Sequence, residues 1–220
     1  MQMTDNALTK INNLGQQANQ HARLAVFADF LSRKADNTIR NYRQSTELFE
    51  EYLADVGSER RRDMLTNPQS WHGITWGLLE AFKVWMLNQG FAIGTLNGHL
   101  TAVRKLATLA IKAGVIDGAE GLMIQAVKPY TKHEAPRIEE KREKTRISKK
   151  KAQPVMFSPQ DAMCFKAQPD TPQGRRDRLI MCLLLEHGLR AGEVAILTVG
   201  DANLVDDIIR IKRPKVGKIQ

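Results

Sequence analysis

The chain has 220 residues, 42% of them hydrophobic, with 33 Lys and Arg against 24 Asp and Glu for a net charge of +9. That is enough apolar material for one or two domains with real cores, and it excludes a chain that is disordered overall. The positive excess suits a polyanionic partner, although many basic proteins bind none. Cys164 and Cys182 offer neither metal-ligand spacing nor a disulfide framework; lying in apolar helical stretches, they are expected as core thiols of a reducing compartment. The N-terminus carries Asp5, Asn6, Lys10 and Asn12 and lacks the apolar core of a signal peptide, and no window approaches a membrane span. A cytoplasmic protein with no membrane partner is expected.

Residues 1–20 are expected as a flexible N-terminus, and residues 21–127 as a helical domain. Leu24, Phe27 and Leu31 recur at helical spacing, and a second helix shows Ile39, Tyr42, Phe49 and Leu53 on one side before Gly57. Thr75 is placed to cap a third helix carrying Leu78, Leu79, Phe82, Trp85 and Met86, closed by Gly90. The fourth has a stripe of Leu96, Leu100, Val103, Leu106, Ala107, Ala110 and Ile111, closed by Gly114.

The faces opposite those stripes carry a second signal. On the fourth helix Asn97, Thr101, Arg104 and Thr108 fall at intervals of four, three and four, with His99 and Lys105 alongside and no acidic residue among them. Arg40, Asn41, Arg43 and Gln44 crowd the start of the second helix, while Glu47, Glu50 and Glu51 occupy its end. Cations interleaved with amides and hydroxyls can reach phosphates and base edges in a major groove; a merely solvated face is the plain alternative. His21, His72 and His99 are isolated and read as surface or capping groups.

From Lys128 to Lys151 apolar residues nearly vanish, and ten basic residues against four acidic ones leave a local excess of +6. Residues 128–153 are therefore expected as a basic linker, either a solvated spacer or a strap that follows a groove. In the second case Lys149, Lys150 and Lys151 would supply salt-sensitive affinity. Residues 154–220 form the next domain. Ser158-Pro159 and Thr171-Pro172 each pair a cap residue with proline at the first helical position. The second of these helices becomes the apolar run Leu179 to Leu185 and stops at Gly188, a residue suited to a left-handed cap. Arg190 then stands at a turn where a new helix begins, with Glu193 able to brace it. Beyond Asp201 the period becomes that of a strand, Ile208 to Ile211, and the basic turn Lys212 to Lys218 should reverse the chain into a second strand from Ile219.

The run Gly188-Leu189-Arg190-Ala191-Gly192-Glu193-Val194, with Leu197 and Asp201, resembles the first arginine box of the tyrosine recombinases, the phage integrase family. Thr38 to Tyr42 with Phe49 and Tyr52, and Thr95-Leu96-Asn97 with Leu100 to Arg104, are similar to the second and fourth helices of that family's core-binding domain, which face the duplex. The resemblance implies a mainly α fold, a SAM-like bundle of four to five helices followed by the truncated start of an α+β integrase catalytic domain. It implies Arg190 as the first of two arginines gripping the scissile phosphate, with Glu193 in support. A guanidinium suits that task because it stays charged and donates two parallel hydrogen bonds as negative charge builds.

The resemblance also implies a lysine on the hairpin turn as general acid to the leaving 5′ oxygen. The family pattern of lysine, a residue, glycine, and lysine or arginine falls on Lys215; Lys212 and Lys218 compete, and a solvated basic turn is the plain alternative. The partner implied is double-stranded DNA at specific recombination sites, in the nucleoid, on which the family assembles as a homo-tetramer. The phosphotyrosine route needs no cofactor and no metal. It does need a tyrosine nucleophile and a His-x-x-Arg box downstream of the hairpin. The three tyrosines are Tyr42 and Tyr52, spaced as helix core, and Tyr130 in the linker, so none is suited to that role. The expectation is an N-terminal part of an integrase that binds DNA without cutting it. A non-catalytic DNA-binding regulator or integrase remnant, and a helical interaction protein with a solvated linker, are the alternatives.

Overall fold

The computed structural model describes residues 2–59, 61–142, 155–203, 205–213 and 218–219. The chain divides into two compact units, residues 1–150 and 151–220.

The first unit is built from α1 (Gln2–Ser32), α2 (Asp36–Asp55), a 3-10 turn (Pro68–Trp71), α3 (Trp76–Asn88), α4 (Ile93–Lys112), α5 (Gly118–Ala126) and α6 (Ala135–Lys141). Helix α4 is its centre. Leu96, Leu100, Val103, Leu106, Ala107 and Ala110 are wholly buried, and α1, α2, α3 and α5 all pack on this helix. Against it Phe49 meets Tyr52, Trp71 and Phe82 at ring-centroid distances of 5.9, 6.0 and 5.0 Å. Burying each such side chain contributes roughly 1.5–3 kcal/mol, which is what holds these five helices together. Helix α5 comes close because Gly121 has no side chain: a Cβ there would lie 2.8 Å from Ile111 Cδ1. The helix ends follow the sequence. Thr75 Oγ1 accepts the Leu78 N–H, and Gly57, Gly90 and Gly114 take positive φ at the turns.

Two features of this unit depart from expectation. The first 20 residues, expected to be flexible, are helical from Gln2 onward as part of α1. Side chains 10–25 of that helix are exposed, so Leu24, expected in the core, is 77% exposed, and α1 enters the bundle through Phe27 and Phe30, with Val26 and Leu31 packed beside them. Residues 128–142, expected as linker, carry helix α6 and belong to the first unit.

The second unit contains α7 (Pro159–Lys166), α8 (Pro172–Leu185), α9 (Ala191–Ala195), a 3-10 turn (Val199–Asp201), and β1 (Ala202–Asn203), β2 (Ile208–Ile209), β3 (Lys212–Arg213) and β4 (Lys218–Ile219). Ser158 and Thr171 cap α7 and α8 with proline behind each. The strand expected over Ile208 to Ile211 is two short ladders instead. Ala202 pairs with Ile209 and Asn203 with Ile208, while Lys212 pairs with Ile219 and Arg213 with Lys218, all antiparallel. The first ladder stops because β1 begins directly after the 3-10 turn, so the Arg210 N–H already donates to the Asp201 carbonyl and no extended chain faces Ile211. The cysteines also differ from expectation: Cys164, on the outer side of α7, is exposed, and Cys182 is half-buried.

Candidate functional site

Helix α8 ends at Leu185, and Gly188 takes φ +62°, letting the Leu189 N–H reach back to the Leu183 carbonyl at 3.2 Å. Leu183 and Leu189 are both buried, an apolar contact that fixes the direction in which the chain leaves the helix. Arg190 follows in extended conformation at the head of α9. One oxygen of Glu193 accepts the Arg190 backbone N–H at 3.0 Å, and the other accepts Nη1 of its guanidinium at 2.9 Å. The carboxylate is 7% exposed and the arginine side chain 64%. A buried anion thus holds one edge of an exposed cation. The Arg190 N–H chiefly, then its guanidinium and the charge of Arg213, hold the Glu193 carboxyl below the usual range. The remaining N–H donors of Arg190 can take an anion.

A second carboxylate organises the chain beyond α9. Asp201 accepts the Thr198 hydroxyl at 2.7 Å and its N–H at 2.9 Å, and lies 3.2 Å from Lys212 Nζ. These groups, Thr198 first, bring its pKa down to about 2. Lys212, a competitor for the general-acid role, is therefore tied to a structural carboxylate. Arg213 is half-buried, with an Nε that has no partner among the described residues. Lys215 lies outside the described residues, and of Lys218 only the backbone pairing in β4 is described.

In the first unit Arg40, Asn41, Arg43 and Gln44 are exposed on α2, as are Thr101 and Lys105 on α4. Asn97 and Arg104 are not open. The Asn97 amide both donates to the Tyr130 carbonyl at 2.7 Å and accepts the Tyr130 N–H at 3.0 Å, and Arg104 Nη1 donates to the Val127 carbonyl at 2.6 Å. Those partners lie 33 and 23 residues away, so helix periodicity gave no sign of them. His99, read from sequence as a surface or capping group, is half-buried, with Nδ1 2.9 Å from Ser45 Oγ and its ring edge-on to Phe91. Burial holds its pKa below the ordinary value. Lys149, Lys150 and Lys151 lie outside the described residues. Among the described residues no cluster of His, Cys, Asp or Glu could hold a metal, and no helix is long and apolar enough to cross a membrane.

Fold and site together define a two-unit protein, with a helical bundle first and an arginine-bearing α+β unit second. Residues 18–120 match the model of the phage integrase SAM-like domain, and residues 158–220 match the model of the phage integrase family. The chain is 26% identical over 196 residues to the tyrosine recombinase slr0733 of Synechocystis sp., covering 84% of this chain and 54% of that protein. It thus spans about half the length of the relative it matches. No solved structure gives a match. The chain belongs to the tyrosine recombinase, or phage integrase, family.

Proposed function

We propose that these 220 residues are the DNA-binding portion of a site-specific recombinase together with the opening part of its catalytic domain. The observation that carries this is the Arg190–Glu193 arrangement, an exposed guanidinium held from below by a buried carboxylate. Such a group is preorganised to receive the scissile phosphate, and its donors strengthen as charge builds in the transition state. Lys215 is the general acid in this reading. Arg40, Asn41, Arg43 and Gln44 on α2, with Thr101 and Lys105 on α4, face double-stranded DNA, and Lys149 to Lys151 add salt-dependent contacts. Copies of the whole recombinase assemble on their site, as a tetramer, and cleave through a 3′-phosphotyrosyl intermediate. The second unit of this chain holds no tyrosine, so the 220 residues alone bind and do not cut.

The test has two arms. The chain should bind duplex DNA with an affinity that falls steeply between about 50 and about 200 mM salt, without nicking it. In the whole recombinase Arg190→Ala should abolish strand cleavage and leave binding intact. Undiminished cleavage would overturn the catalytic assignment, and absent or salt-independent binding would overturn the DNA assignment.

A further inference from the structure

The extended stretch 127–130 carries backbone groups that no helix or sheet satisfies, and side chains of the bundle take them up one after another. Arg104 binds the Val127 carbonyl, Lys83 Nζ reaches the Lys128 carbonyl at 3.3 Å, and Asn97 takes both the N–H and the carbonyl of Tyr130. Among side chains an amide is suited to that last pairing, because it offers a donor and an acceptor side by side as a neighbouring strand would. The fit extends to the side chains. Val127 is buried, the half-buried Tyr130 packs against the core, and Lys83 Nζ lies 5.0 Å from the centroid of its ring. At the far end of the segment the buried Arg142 side chain donates to Glu139 at 2.7 Å and to the Phe91 carbonyl, between α3 and α4, at 3.0 Å.

The geometry points to a clasp: Asn97 and Arg104 are positioning residues that fasten residues 127–142 to the bundle, so the basic run that begins at Lys128 starts as part of the bundle and not as a free linker. They act on this chain's own backbone and do not read bases. Asn97 and Arg104 lie seven residues apart, two turns of α4, which sets one above the other along the same face. Two anchor points on one rigid helix fix the path of the segment as a single point could not. Only the consequence for DNA rests on the recombinase reading; the clasp itself does not.

Hydrogen exchange on the chain without DNA tests the clasp directly. The Tyr130 amide should be protected, and Asn97→Ala should accelerate its exchange at least about tenfold while the amides of α4 keep theirs. Arg104→Gln, which leaves Asn97 intact, should loosen the segment around Val127 and serves if Asn97→Ala does not fold. Unchanged exchange in both variants would overturn the proposal. Duplex titrations then separate it from base reading. A clasp variant should change affinity equally for all sequences, or not at all, whereas relaxed preference at a single base pair would make Asn97 a reader and overturn the assignment. If the wild-type chain fails to bind DNA, the functional reading falls while the exchange result still decides the clasp.

Discussion

Ser45 and His99 stand 54 residues apart in sequence, on α2 and α4, and their side chains meet at 2.9 Å. The Ser45 hydroxyl already donates its proton to the Asn41 carbonyl at 2.8 Å. Its oxygen can then only accept, which fixes the neutral histidine as the Nδ1–H tautomer. Burial keeps this ring below its ordinary pKa, so the unfolded chain takes up the proton more readily than the folded one. The stability is complete above the unfolded value, near 6.5, and declines as pH falls through it toward the lower folded value. Urea melts from about pH 7.5 to about pH 5 should show that decline, and His99→Gln should flatten it. A variant with the same slope as the native chain would remove His99 as its source.

The Asp201 carboxylate behaves in the opposite sense at its own end of the scale. Held at about 2 by Thr198 and Lys212, it contributes stability present above the unfolded value, near 3.9, and lost as pH falls toward 2. A carboxyl titration followed by NMR should place its midpoint near 2, and Thr198→Val should raise it by removing the hydroxyl bond. A midpoint unmoved by Thr198→Val would mean that Lys212 dominates.

Trp71 closes the core from the 3-10 turn and donates its indole N–H to the Met64 carbonyl at 2.7 Å in a fully buried site. Trp71→Phe should cost about 1–3 kcal/mol, because the carbonyl is left without a partner. Trp71→Ala should cost about 3–5 kcal/mol, the cavity being added. Denaturant melts of the two variants check the order.

Glu193 holds the Arg190 guanidinium and caps α9 with one carboxylate. In the whole recombinase, Glu193→Ala should lower strand cleavage on the order of a hundredfold by freeing the guanidinium, with DNA affinity unchanged. Cleavage at the native rate would show that Arg190 needs no such support.

On α2 the exposed Arg40 and Arg43 should each carry one phosphate contact. Replacing either with Ala should weaken binding for all sequences alike and reduce the salt slope by about 1. Anisotropy titrations at several salt concentrations check this, and a slope equal to that of the native chain would take the residue off the interface.

What was legible in the sequence was what short-range rules govern. The caps at Thr75, Ser158 and Thr171, the glycine stops and the α4 stripe depend on neighbours within a turn or two, and each lies where its spacing put it. The Arg190–Glu193 pair belongs to the same class, since a carboxylate three residues into a helix has few places to reach. The bond from Asn97 to Tyr130 is not legible at helix spacing because the turn through α5 brings that partner in, and neither is the burial of His99, because Ser45 comes from another helix. Leu24 kept the period of the core stripe although α1 extends past the bundle, and periodicity carries no information about where a neighbour ends. Cys164 sits in an apolar stretch that α7 turns outward.

All three tryptophans of the chain, Trp71, Trp76 and Trp85, fall in the first unit. Trp71 is sealed in the core, Trp85 donates to Asp55, and Trp76 is 43% exposed. The indole fluorescence of these 220 residues is therefore the bundle's alone. A melt followed by emission will report α2, α3 and α4 coming apart and remain silent on the arginine corner, whose loss must be followed by circular dichroism.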